Sequence, residues 1–152
     1  MAIFLMLAIP VGHDFITKNS VSTQAETFVS ALHYARNQAA LKSQTLTLAP
    51  ELGNWSLGMI LFVDGNNNYQ HDESEPVLFH WKWHDISINW HGLYNYLRFT
   101  STGLESALSG TFTLCPKQQI NTVKGYRIIM NRLGRIRVED NDETCDTSNL
   151  LH

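Results

Sequence analysis

The chain has two cysteines and four prolines in 152 residues, and 16% of its residues are charged. Cys115 and Cys145 stand alone, with no CxxC pair and no ligand histidines nearby, which argues against a structural zinc site. Pairing of the two fits an oxidising compartment, and free thiols fit a reducing one. Long hydrophobic runs are also scarce. The apolar start, Met1 to Ile9 (MAIFLMLAI), falls well short of the about 20 residues a bilayer span needs. It has neither the basic leading region nor the small-residue cleavage site of a secretory signal. It is nevertheless too greasy to leave in water, and it reads as the remaining part of a longer membrane segment. No P-loop, nucleophile elbow or carboxylate dyad occurs in a recognisable frame, so neither an enzyme nor a cofactor is expected. One further absence is local: no acid lies between Ser106 and Val138.

What is present begins with a helix. From Val21 onward apolar residues recur at Ala25, Phe28, Leu32, Ala35 and Ala39, steps of four and three that stack on one face. Lys18, Ser22, Glu26, Ser30, His33 and Asn37 take the other side. Pro10 and Gly12 are expected to loosen the backbone between the apolar start and this stripe. Residues 1–43 are therefore read as one long helix, with 1–9 its membrane remnant. Residues 44–152 are read as an antiparallel β domain forming one unit with it.

The β pattern is carried by short alternating or aromatic-rich runs. Gln44 to Leu48 alternates and is broken by Pro50 and Gly53. Trp55 to Val63 reads as a strand, then Val77 to Trp81, then Ile86 and Ile88, with Asn89 to Asn95 as a connection. Leu97 to Phe99 and Thr111 to Leu114 follow. Tyr126 to Met130 and Arg135 to Val138 form a hairpin across Asn131-Arg132-Leu133-Gly134, where glycine is free to take positive φ. The class is α+β: a long N-terminal helix packed on an antiparallel sheet.

The acid-free stretch carries six basic residues, Lys117, Lys124, Arg127, Arg132, Arg135 and Arg137, and an acidic tail from Glu139 to Asp146 follows it. A cationic segment in a chain of net charge −3 points to an anion site. Strand alternation sets Arg135 and Arg137 on one face, about 7 Å apart, a spacing suited to successive phosphates. A solvated face, or pairing with Glu139 and Asp140, is the alternative.

Two other stretches carry patterns of their own. Asp64, Asn66, Asn68, Gln70, Asp72 and Glu75 fill six places of a calcium-loop pattern. Its sixth place, which requires glycine, holds Tyr69. An Asn-rich turn bonding its own backbone is the favoured reading, and no metal site is assigned. Phe79 to His91 holds Trp81, Trp83, Trp90, His80, His84 and His91. Here core packing of the tryptophans and exposure of the histidines are expected.

The order of these elements resembles a known family. The stretches Trp55 to Asp64, Leu97 to Phe99, Gly110 to Cys115 and Gly134 to Val138, behind a helix with a greasy front half, are similar to minor type IV pilins of the FimT/GspH group. The resemblance implies other pilins as partners, reached through the helix, and an inner-membrane anchor with a periplasmic domain or a place in a pilus. In the FimT branch a Gly-Arg-x-Arg motif is linked to DNA binding in natural transformation, and Gly134-Arg135-Ile136-Arg137 matches it. Lys117, Lys124, Arg127 and Arg132 are added from charge and proximity. GspH-like members imply instead a structural or priming subunit of a type II secretion pseudopilus or of a pilus, without DNA binding. The family's cleaved leader and acidic membrane start are not found here, where the first acid is Asp14, so the true start is expected upstream.

Overall fold

The computed structural model describes residues 9–104, 109–117 and 124–145. The apolar start at 1–8 and the tail at 146–152 lie outside them. The helix α1 (Ile9–Lys42) is continuous. Pro10 and Gly12 lie inside it and do not interrupt it, because proline's fixed φ is itself helical and its missing N–H costs a single bond. The stripe Val21, Ala25, Phe28, Leu32, Ala35 and Ala39 is buried, and Ala31 joins it. Glu26, Ser30, His33 and Asn37 are exposed. Ser43 ends the helix with φ 49°. The Gln44 amide bonds the Ala39 carbonyl at 3.2 Å, and the Ser43 amide bonds that of Ala40 at 3.4 Å. That is a Schellman stop with serine in the place usually taken by glycine.

The strands are β1 (Leu46–Pro50), β2 (Gly58–Phe62), β3 (Val77–Lys82), β4 (Ile86–Gly92), β5 (Leu97–Thr100), β6 (Gly103–Leu104), β7 (Gly110–Pro116), β8 (Lys124–Met130) and β9 (Ile136–Thr144). They form two antiparallel sheets where one was expected: β3-β2-β1-β5-β6 and β4-β7-β8-β9. Both sheets bury a face under α1. Leu46, Leu48, Leu61 and Leu97 come from the first, and Ile86, Ile88, Phe112, Leu114 and Ile128 from the second. Phe28 sits where they meet, its ring centroid 5.5 Å from Trp83 and 4.6 Å from Phe112. Trp55 closes the same cluster, 4.9 Å from Phe112, while its indole N–H donates to Asn95 Oδ1 at 2.7 Å.

Three boundaries differ from the sequence reading, each for a tertiary reason. Trp55 to Leu57 form a turn, not a strand, since Trp55 is turned inward as a core side chain. Pairing in β4 continues through Asn89 to Gly92, opposite Thr113 to Gly110. There the Trp90 ring packs on Phe112 at 4.2 Å. The last strand continues to Thr144 where Val138 was expected to end it, because Cys145 is bonded to Cys115, with 5.8 Å between their Cα atoms. Gly125 makes room for this bridge: a Cβ there would lie 2.6 Å from Cys145 Sγ and 2.4 Å from the Leu114 carbonyl oxygen.

Truncating Phe28 to Ala should destabilise the protein by about 3–5 kcal/mol, measured as a lowered urea midpoint. Gly125→Ala should leave free thiols that a colorimetric thiol assay counts and wild type lacks. Reducing the bridge in wild type should itself remove about 3.5 kcal/mol, from the closed-loop length.

Candidate functional site

The β8–β9 turn is built by Asn131. Its Oδ1 accepts the amides of Leu133 at 3.0 Å and Arg135 at 2.9 Å. Its backbone N–H reaches the Arg135 carbonyl at 3.1 Å, and its carbonyl accepts the Gly134 amide at 2.9 Å. Gly134 takes φ 72°, the left-handed value that closes a three-residue hairpin loop. From the helix, Arg36 Nη1 donates to the Gly134 carbonyl oxygen at 3.3 Å. The turn is thus fixed from within and clamped from outside. Arg36 is a member of the cationic group that the sequence did not single out, because nothing in helical periodicity ties residue 36 to residue 134.

Arg132, Arg135 and Arg137 are exposed around this turn. Ile136 is half-buried and packs on the core, and Val138 borders an open groove of about 430 Å³ between α1 and the ribbon. The two arginines of the Gly-Arg-Ile-Arg segment therefore share the outward face. Arg137 Nη2 lies 2.6 Å from Glu139 Oε1, yet its side chain is still 70% exposed. Alternation puts Asp140 on the face of Val138, away from both arginines. Arg127 is exposed and stands opposite Glu139 in the ribbon.

Lys117 and Lys124 do not join the group. The register runs Gly92, Gly110, Met130 and Ile136 across one end of the second sheet and Ile86 and Pro116 across the other. Lys117 follows Pro116 and Lys124 begins β8, so both belong to the end about 20 Å from the turn. The side chain of Lys124 lies outside the described residues.

The loop after β2 is satisfied by its own groups. Asp64 is buried, and its carboxylate accepts the amides of Asn68 at 3.1 Å and Tyr69 at 3.0 Å and the Thr47 hydroxyl at 3.3 Å. Asp72 Oδ2 takes the side-chain amides of Asn66 at 2.7 Å and Asn68 at 2.9 Å. Glu75 accepts the amides of Gly65 at 2.8 Å and Asp72 at 3.2 Å. Tyr69, in the glycine place, adopts φ 64° and stacks on Tyr96 at 4.3 Å. Among the described residues no group of three or more His, Cys, Asp or Glu is disposed to hold a metal. Nor is any helix there long and apolar enough to cross a membrane. Trp55 and Trp83 are buried, while His80, His84 and His91 are exposed.

One further charged group lies on the first sheet. His80 Nε2 is 3.0 Å and Lys82 Nζ 3.5 Å from the Glu51 carboxylate. The hydrogen bond from His80, ahead of the opposing effect of burial, holds the Glu51 carboxyl below the ordinary carboxylate value.

A long N-terminal helix covering antiparallel sheets, with a disulfide near the C-terminal edge, defines a pilin-type subunit. The family described as type II transport protein GspH matches residues 24–134 of the 152, and the chain belongs to it, as a minor pilin or pseudopilin of this group. No curated protein matches the chain. The fold is shared with the type IV minor pilin FimU of Pseudomonas aeruginosa, with TM-score 0.62 and 20% identity over 85% of this chain and 95% of that one. A second crystal form of FimU gives 0.60 and 20%, over 80% and 94%. The minor pseudopilin EpsH from the type 2 secretion system of Vibrio cholerae gives 0.59 and 14%, over 82% and 99%.

Replacing His80 by Ala should raise the Glu51 titration toward the ordinary carboxylate value, read from its carboxyl ¹³C shift. A carboxyl lowered by folding adds stability above its unfolded pKa and loses it as pH falls through the folded one. Acid unfolding of His80→Ala should therefore be less steep over that window than that of wild type.

Proposed function

We propose that this minor pilin binds DNA without sequence preference through the β8–β9 turn, in DNA uptake for natural transformation. The observation that carries the reading is the outward display of Arg132 and Arg135 on one rigid turn and of Arg137 in the strand just beyond it. Guanidinium groups held at about 7 Å spacing along a ribbon meet successive phosphates bidentately, and they read charge, not base identity. The pair Arg137–Glu139 is exposed, and such pairs are worth about 0–1 kcal/mol, so a polyanion competes with it readily. In this reading the helix holds the subunit among other pilins, its start in the inner membrane, with the sheets in the periplasm or on the pilus surface. The same ion pair also favours a second reading, a structural or priming subunit of a secretion pseudopilus, in which Arg137 serves the ribbon alone.

Fluorescence polarisation of a labelled duplex with the full chain in detergent separates the two. Wild type should bind at low salt, and a variant carrying Arg135→Gln and Arg137→Gln should bind far more weakly. The slope of log affinity against log salt should also be about 2 units shallower in that variant, as expected for two lost phosphate contacts. Equal binding by both proteins removes the two arginines from the site, and no binding by wild type at low salt leaves the structural reading standing.

A further inference from the structure

The tip of the turn carries a side chain that phosphate binding does not use. Leu133 is 77% exposed and lies between Arg132 and Gly134-Arg135. An exposed leucine is ordinary on a protein surface. This one is unusual in its setting, because the backbone on both sides of it is held. Its own amide is held by Asn131 Oδ1, the next residue is fixed at φ 72°, and the next carbonyl is gripped by Arg36. The result is an aliphatic wedge on a rigid β-ribbon, flanked by cations and pointed away from the protein.

We propose that Leu133 is a wedge that inserts between base steps of duplex DNA from the minor groove while Arg132 and Arg135 grip the phosphates on either side. This inference rests on the DNA-binding reading above and adds the form of the substrate: a duplex that is bent when bound. The minor groove, about 6 Å wide, admits side chains at a ribbon tip and not the ribbon itself. Apolar residues inserted there unstack a step and kink the helix by about 20–90°. The unstacking is offset by burial of the wedge and by the closer approach of the flanking arginines. Preorganisation matters here, since a mobile leucine would lose rotamer and backbone freedom on insertion.

The test uses a duplex of about 25 base pairs, labelled at both ends, with the full chain in detergent and energy transfer as the readout. Wild type should raise the transfer efficiency as it binds. Leu133→Ala and Leu133→Gln should bind within about tenfold of wild type and leave the efficiency at its free-duplex value. Position 133 is exposed, and a retained Cys115–Cys145 bridge and unchanged circular dichroism confirm that the variants fold. Binding by wild type with no rise in transfer overturns the wedge while leaving phosphate binding intact. An equal rise with Leu133→Ala does the same. If wild type binds no duplex at low salt, the DNA reading and the wedge fall together.

Discussion

The structure depends on one stripe of one helix. Among the described residues the two sheets share no strand pairing; they are joined because both bury a face against the side of α1 that runs from Val21 to Ala39. Small residues at Ala25, Ala31, Ala35 and Ala39 let the strands approach closely, and Phe28 fills the junction between Trp83 and Phe112. Propensity supplies only a small part of the stability of a helix in a folded protein. Its stability comes from packing on an amphipathic face. The sheets in turn cannot dispense with the helix, since their inner faces would otherwise expose a run of leucine, isoleucine and aromatic side chains.

The same constraint places the site. Because α1 lies across the second sheet, Arg36 arrives beside the β8–β9 turn and bonds its carbonyl. At the other end of that sheet the Cys115–Cys145 bridge closes the ribbon beneath Gly125. The hairpin is therefore fixed at its base by a covalent bond and near its tip by a helix-borne guanidinium. What lies between is a stiff strand pair whose outer face carries charge and whose inner face packs on the core.

The sequence made much of this legible, and its misses have physical causes. Helical spacing predicted every buried position of the stripe except Ala31, and the antiparallel class followed from alternation in the later runs. The hairpin turn was readable because Gly134 supplies positive φ at the one place that needs it. The split into two sheets was not, because strand pattern reports which face is buried and not which strand is the neighbour. Nor was the length of β4 or β9, where the Trp90–Phe112 contact and the disulfide extend pairing through polar and acidic residues. Ser43 as a helix stop went unrecognised, since serine is a weak signal for a left-handed residue. Grouping basic residues by sequence distance set Lys117 and Lys124 beside the arginines, while strand register puts them at the far end. It also missed Arg36, which is distant in sequence and near in space.

Charge is graded along the ribbon as a consequence. Arg132 and Arg135 occupy the turn and Arg137 follows within the strand. Glu139 and Asp140 come next, and the sequence stays acidic through Asp142 and Glu143 toward the disulfide. At about 3.4 Å per residue the sign reverses between Arg137 and Glu139, within about 7 Å, inside one screening length at physiological salt. The cationic end of this edge is therefore the turn, while further along the ribbon Glu139 stands opposite Arg127. Under the DNA-binding reading a polyanion meets the turn first, and the short Arg137–Glu139 pair marks where the sign changes along the strand.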